Sequence, residues 1–383
     1  MRIYFDNNAT TRIHPEVLDA LDSALGEVWG NASSTHSEGR AARRVIEESR
    51  ESVAALLGAS PREIVFTSGG TEANNAAVHG AVLSDTSTCH IVTSSIEHPS
   101  ALEPARALAE QGNPLSIVRP GGDGVVTAAS VIEAIRPDTG LVSLMLANNE
   151  TGVLQPAAEV GRFCRERGIH FHCDAVQAAG KIRVDVEQLC ADSLAISAHK
   201  MHAPKGIGAL YIRRGRELRP QMLGGAQERR RRAGTENVPL ARAFGVAASL
   251  AAGAVSHANE VEALRDRFES SALGGIPELI VNGAGAWRLP NTSNLRFQGA
   301  DGETLVIALD LDGVAASTGS ACSSGRVEPS HVLLEMGLSD AEARSSVRFS
   351  LSRMNTAAEV DEAVGKLQRV VAANRRELMS GCR

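Results

Sequence analysis

The sequence predicts an α/β protein: a large domain with a mostly parallel, seven-stranded sheet and helices on both faces, joined to a smaller α+β domain. Three observations carry this expectation. Strand and helix signals alternate from residue 64 to residue 212, the pattern of repeated βαβ units. Beyond about residue 255 that alternation stops. At 383 residues the chain also exceeds what one ordinary core organises. The boundaries are set at residues 16–254 for the large domain, and at 1–15 together with 255–383 for the small one.

Ile64 to Thr67 reads as the first of the seven strands, followed by a Gly-Gly turn and a helix from Thr71. His90 to Thr93 is strand-like, and Pro99 suits the first turn of the next helix. Leu115 to Val118 and Leu141 to Leu146 are further strands. Pro156 opens a helix to Arg167, and Ile169 to Cys173 is the next strand. Leu194 to Ile196 and Gly208 to Ile212 complete the set. From Val238 a helix is expected, with Val238, Ala241, Phe244, Ala248 and Ala251 on its apolar face. The remainder reads as a helix, a strand at Ser293 to Phe297, a helix at Gly302 to Leu311, a strand at Ser346 to Leu351, and a last helix from Ala357.

Apolar residues make up 43% and charged residues 22%, the balance of an ordinary globular protein. No uninterrupted apolar run approaches a membrane span, and the N-terminus lacks the apolar stretch of a signal peptide, so a cytoplasmic protein is expected. The net charge of −6 argues against a global nucleic-acid footprint. Arg229 to Arg232 is a local basic run, read as a solvated loop or a contact with an acidic protein, because no aromatic residues accompany it. The six cysteines, at 89, 164, 173, 190, 322 and 382, form no C-x-x-C pair, and their long spacings argue for free thiols. Cys164, Cys173 and Cys190 lie in apolar stretches and are expected to fill core space.

The chemistry concentrates where the expected strands end, which is where open α/β sheets bind ligands. Ser197-Ala198-His199-Lys200 follows the strand at 194–196. A partly desolvated lysine there has a lowered pKa and becomes an amine able to form a Schiff base. Asp174 ends the strand at 169–173. A lysine and a carboxylate on neighbouring strand ends match the needs of pyridoxal phosphate: the amine binds the aldehyde, and the acid keeps the ring nitrogen protonated. Gly69-Gly70-Thr71 opens a helix, offering free N–H groups to an anion, or forms a plain capped turn. Gln177 is placed to bond a phenolic oxygen, and His98 to lie against a ring and exchange protons. Asn148 and Asn149 follow another strand and either bind an oxyanion or form a turn. Arg348, in an apolar strand, calls for a carboxylate, either internal or from a substrate. Cys322 sits in a small, polar, glycine-bounded stretch where an idle thiol would be a liability.

Taken together, these segments resemble the cysteine desulfurases, the NifS/IscS-like branch of the class V aminotransferases. Asp6 to Thr11, Gly30 to His36, Thr67 to Asn75, Glu97-His98, Asn148 to Gly152, Asp174 to Gln177, Ser197 to Gly206, Arg232 to Thr235, Gly319 to Ser323 and Arg348 to Ser350 match in order and spacing. Ala32 stands where the family usually has proline, and Gly70 where alanine is common. The resemblance implies the fold-type I architecture of pyridoxal phosphate enzymes and a homodimer with shared active sites. It implies Lys200 as the Schiff-base lysine and His98 as the ring-stacking acid/base. Asp174 would pair with the ring nitrogen and Gln177 with the phenolic oxygen. Gly70, Thr71, Ser197 and His199 would hold the phosphate, with Thr235 reaching the phosphate of the other subunit. Asn149 and Arg348 would hold the substrate carboxylate. Cys322 would take sulfur from L-cysteine as a persulfide, leave L-alanine, and pass the sulfur to an iron–sulfur scaffold or another acceptor protein. A further role for Cys322 as a transient iron–sulfur ligand with such a partner stays open.

Three other readings compete. A selenocysteine lyase or a transaminase would share the cofactor residues, although a transaminase needs no loop thiol. A metal hydrolase would use His170, His172 and Asp174, which alternate on one strand face, with His199 and His202 nearby. A catalytically silent scaffold would leave Lys200 and Cys322 without purpose.

Overall fold

The computed structural model describes residues 2–83, 88–319 and 328–381, with side chains to residue 376 in the last helix. The first two-thirds runs through β1 (Ile3–Tyr4), α1 (Pro15–Glu27), α2 (Ser37–Leu57), β2 (Ile64–Thr67), α3 (Gly70–Val82), β3 (His90–Ser94), α4 (Pro99–Glu110), β4 (Leu115–Val118), α5 (Ala128–Glu133), β5 (Thr139–Met145), α6 (Ala157–Arg167), β6 (His170–Asp174), β7 (Ser193–Ser197), β8 (Gly208–Ile212) and α7 (Val238–Val255). The remainder holds α8 (Ala258–Gly275), β9 (Leu279–Val281), β10 (Thr292–Phe297), α9 (Gly302–Leu311), β11 (Val314–Ala315), α10 (His331–Glu335), α11 (Asp340–Arg344), β12 (Ser346–Ser350) and α12 (Ala357–Gly381).

The seven expected strands form one sheet in the order β2-β8-β7-β6-β5-β3-β4. β8 runs antiparallel to both of its neighbours, β2 and β7, while the other pairs are parallel. β2 therefore points the same way as β3, β5, β6 and β7. That shared direction brings the turns after β2, β3, β5, β6 and β7 to one edge of the sheet, where the predicted site residues lie. β6, β7 and β8 are buried along their whole length, as expected of strands covered on both faces.

Two hydrophobic cores are distinct. The larger joins Phe66, Val142, Phe171, Leu194, Tyr211 and Phe244 beneath the helices. The smaller joins Ile3, Phe5, Phe268, Phe297, Leu305 and Phe349, with the Phe5 ring edge-on to Phe268 at 5.7 Å, a favourable aromatic geometry. In the smaller unit β12, β10 and β9 form an antiparallel sheet, and β1 pairs with β11. The N-terminus is thus tied to the C-terminal part of the chain. Val332, Leu333 and Met336 instead pack into the larger core.

Some expectations need correction. Cys164 and Cys173 are buried, but Cys190 is not core filler. It occupies a tight turn at φ 52° and is partly exposed, its thiol on the Glu187 carbonyl. By length and composition α7 is apolar enough to cross a membrane. Its hydropathy comes from alanine, valine, leucine and phenylalanine, and its buried face packs on α1 and α2. The Arg229–Arg232 run is not a free solvated loop. Arg229 and Arg231 donate to the Arg62 carbonyl, and Arg232 pairs with Glu72 at 2.8 Å. The preceding Glu228 is buried in a forked pair with Arg50, at 2.6 and 2.8 Å.

Candidate active site

α3 begins immediately after β2, so the N–H groups of its first turn face the sheet edge. Gly70 is needed in that turn, since a Cβ there would lie 2.7 Å from Cγ2 of Val176. An alanine there would require Val176 to move. After β3, His98 caps α4: its Nδ1 accepts from Ser100 N at 3.1 Å, and Pro99 takes the first helical position. Because Nδ1 accepts, the neutral ring carries its proton on Nε2. Lys200 ends a short 3-10 turn that follows β7.

These turns enclose a cavity of about 280 Å³. Gly70, Thr71, His98, Asn149, Asp174, Gln177, Ser197, His199 and Lys200 all line it. Thr235 is exposed and lies outside this lining. Cys322 falls outside the described residues. The segments that flank it meet at one side chain. Buried Glu150 bonds the Ser330 hydroxyl, and a Cβ on Gly319 would lie 2.8 Å from the same Glu150 oxygen. Burial holds the Glu150 carboxyl above the ordinary glutamate range, against the opposing pull of Ser330, His331 and Arg348.

Each side chain is held by a definite partner. Asp174 Oδ2 accepts from Asn74 Nδ2 at 2.7 Å, and Oδ1 accepts from Val176 N at 2.9 Å. Lys200 Nζ donates to the carbonyls of Asn8 and Ala9. Burial, aided by Arg348, lowers its amine to about 8, while Asp6 and Asp174 oppose the shift. Its dense surroundings push His98 below the ordinary histidine value, with Lys200 and His331 adding to this and Asp174 opposing it. Arg348 Nη2 pairs with Asp6 at 2.8 Å and Nη1 donates to the Asn149 carbonyl at 3.0 Å, so its carboxylate partner here is internal. Asn148 resolves as the turn former. Its buried Oδ1 accepts from the N–H groups of Glu150 and Thr151. Asn149 is the amide that reaches the cavity.

The alternating histidines do not converge as ligands. His170 and His172 share the Ser193 hydroxyl, and His172 Nε2 meets Asn74 Oδ1 at 3.0 Å. Burial lowers both rings to about 4, so they are neutral near pH 7. Sequence reasoning gave no role to Asn74, Ser100, Asn8, Lys181 or Glu150. Their signal was polarity inside helices and turns that only tertiary packing buries.

The cavity fits pyridoxal phosphate on its own chemistry. Ser197 Oγ is buried without a partner, an arrangement that awaits an acceptor or donor. It lies beside the N-terminal turn of α3, a site suited to phosphate. Lys200 supplies an amine and Asp174 a carboxylate to the same cavity.

The class-V aminotransferase family matches residues 3–363. A cysteine desulfurase of Trichormus azollae is 46% identical over 370 residues, covering 96% of this chain and 92% of that protein. The cysteine desulfurase IscS of Anaeromyxobacter dehalogenans is 46% identical, covering 94% of this chain and 90% of the relative. The solved structure of a NifS-like protein superposes with a TM-score of 0.91 at 36% identity, covering 97% of this chain and all of that one. The chain therefore belongs to the class-V aminotransferase family and, within it, to the NifS/IscS-like cysteine desulfurases.

Proposed function

We propose that the chain is a pyridoxal phosphate-dependent cysteine desulfurase, taking sulfur from L-cysteine, releasing L-alanine, and holding the sulfur as a persulfide on Cys322 for an acceptor protein. The observation that carries this reading is the convergence of Lys200, Asp174 and His98 on one cavity at the sheet edge. When bound, pyridoxal phosphate supplies an electron sink for the carbon bearing the substrate's amino group. Gly70, Thr71, Ser197 and His199 are the residues to hold its phosphate, Asp174 its ring nitrogen and Gln177 its phenolic oxygen.

The protein's own groups then divide the work. Lys200, with an amine near 8, exchanges a proton with substrate close to neutral pH. His98 stays largely neutral, carries its proton on Nε2, and is the group to manage protons around the thiols. Arg348 and Asn149 orient the substrate carboxylate, which competes with Asp6 for the guanidinium. The Cys322 sulfur forms a bond to the substrate sulfur as the substrate's C–S bond breaks. A proton completes the methyl group of alanine. The net change is cysteine plus a thiol giving alanine plus a persulfide, so no outside oxidant is required. In a homodimer Thr235 would complete the partner's phosphate site, and iron–sulfur assembly or a related sulfur pathway would take the product.

Mass spectrometry after exposure to L-cysteine tests the proposal. An added sulfur atom on the peptide containing Cys322, with alanine released, is expected. Alanine release with sulfur bound only elsewhere would overturn the nucleophile, and no alanine at all would overturn the activity.

A further inference from the structure

Behind the site lies a half-buried lysine to which the proposed reaction assigns nothing. Lys181 Nζ donates to Asn8 Oδ1 and to Gln177 Oε1, each at 2.8 Å. The chain has only four lysines, at 181, 200, 205 and 366, among 39 basic residues. Its basic positions are otherwise arginine, yet Lys181 holds a half-buried position against Gln177, which lines the cavity. A compact amine converges on these two amide oxygens more readily than a planar arginine fork.

The partners fix more than contact. The Asn8 carbonyl only accepts, so Gln177 must turn Nε2 toward it and Oε1 toward the donating Lys181 amine. The opposite end of that amide, Nε2, is then a donor, with one N–H on the Asn8 carbonyl at 3.0 Å and the second left for the cavity that Gln177 lines. Asn8 is likewise fixed. Its Oδ1 accepts from Lys181 and from Asn291 at 3.0 Å, and its Nδ2 donates to Thr292 Oγ1 at 2.8 Å and to the Asn149 carbonyl at 3.1 Å. The carbonyl of this clamped residue is where the free Lys200 amine rests.

We propose that Lys181 is a positioning residue of the active site: it locks the Gln177 carboxamide as a donor toward the bound cofactor, and it anchors the Asn8 peptide that receives the Lys200 amine. This inference rests on the pyridoxal phosphate reading above. Burial, then the neighbouring Lys200 and Arg348, hold the Lys181 amine well below the ordinary lysine value, and its two hydrogen-bond partners are neutral.

The test is the pH titration of the visible band of bound pyridoxal phosphate. A donor to the phenolic oxygen favours its anionic form and so lowers the pH of the transition. Lys181→Met, which keeps length but no donor, is expected to raise the midpoint by about one pH unit, the equivalent of one modest hydrogen bond. Lys181→Arg should recover part of the shift. Gln177→Met should produce a similar shift alone, and the double variant should shift little further, because the two residues act as one unit. A full additional shift in the double variant, or an unchanged midpoint in Lys181→Met, overturns the proposal. Should Lys181→Met fail to fold, Lys181→Leu, which likewise lacks a donor, takes its place under the same criteria. A parent protein with no visible band after reconstitution would instead overturn the cofactor reading itself.

Discussion

Asn74 Nδ2 stands 2.7 Å from Asp174 Oδ2 while Asn74 Oδ1 stands 3.0 Å from His172 Nε2. A carboxylate only accepts, so the amide orientation is forced, and His172 must donate from Nε2. Its Nδ1 then accepts from the Ser193 hydroxyl. A chain of donors thus runs from β6 through α3 to the carboxylate that faces the cofactor pocket. Asn74→Ala breaks it and leaves a buried imidazole N–H without an acceptor. A loss of about 1–3 kcal/mol is expected in urea unfolding of the cofactor-free chain. Asn74→Asp should weaken pyridoxal phosphate binding more than alanine does, since two carboxylates at that distance retain a proton between them. Equal cofactor affinity in the parent and both variants would separate Asn74 from the role of Asp174.

The depressed amine of Lys200 sets a pH profile. Its value of about 8 lies below the roughly 10.4 of an exposed lysine. The uncharged fraction therefore grows as pH rises through 8, and aldehyde capture by the cofactor-free chain should accelerate from about pH 7 to 9 and then level off. Between that value and the ordinary lysine value the unfolded chain holds a proton that the folded chain has released. This group's contribution to stability therefore rises with pH across that window. Arg348→Ala removes a cation that depresses Lys200 and leaves Asp6 unpaired beside it. Both changes favour the ammonium, so the capture profile should move to higher pH. A profile that moves to lower pH would show that the field of Arg348 is not what tunes this amine.

Glu97 offers a second titration with the opposite sign. The carboxyl is completely buried, its Oε1 accepting from Ser94 Oγ and Met145 N while Oε2 has no partner. Burial raises it to about 8, with Asp174 adding to the shift. The folded chain thus holds a proton that the unfolded chain has lost between the ordinary glutamate range and that value. The stability this group contributes is full below that range and is lost as pH climbs through 8. Glu97→Gln, already uncharged, lacks the dependence. Urea unfolding at pH 5 and pH 8 should show the variant gaining on the parent as pH rises. Parallel curves would place the Glu97 proton elsewhere.

Strand positions were legible because fully buried strands read as short apolar runs between Gly and Pro signals, as at Ile64–Thr67 and Gly208–Ile212. The residues at strand ends were legible for the same reason, since topology alone carries Asp174 and Lys200 to a common edge. The five expected apolar positions of α7 are all buried. What the chain concealed was the support beneath the site. Asn74 sits on a helix, Asn8 in a turn and Glu150 after a strand, each polar and locally unremarkable. Only packing makes them buried and therefore obliged to find partners. α2 was readable in principle: Ala42, Ile46, Val53 and Leu57 recur on one helical face, and Gly58 closes it in the left-handed conformation at φ 66°. Cys190 was misread because an apolar sequence neighbourhood does not report a left-handed turn.

The two halves of the proposed reaction separate at Cys322. Cys322→Ala should keep its cofactor and still change spectrum when L-cysteine is added, because Lys200, His98 and Asp174 are untouched, yet no persulfide should form on that segment. Glu150 provides the complementary variant. Its carboxyl joins Ser330 and abuts Gly319, the described residues on either side of the Cys322 stretch. Glu150→Ala releases the Ser330 contact and opens space at Gly319, whereas Glu150→Gln retains an acceptor. Roughly a tenfold slower persulfide formation is expected for the alanine variant, the equivalent of one lost hydrogen bond, with a near-parental rate for glutamine. The spectral change with L-cysteine should stay fast in both. Single-turnover measurements that follow absorbance and persulfide together will distinguish the steps. If both signals slow equally in Glu150→Ala, the side chain shapes the cofactor pocket and not the approach of the thiol.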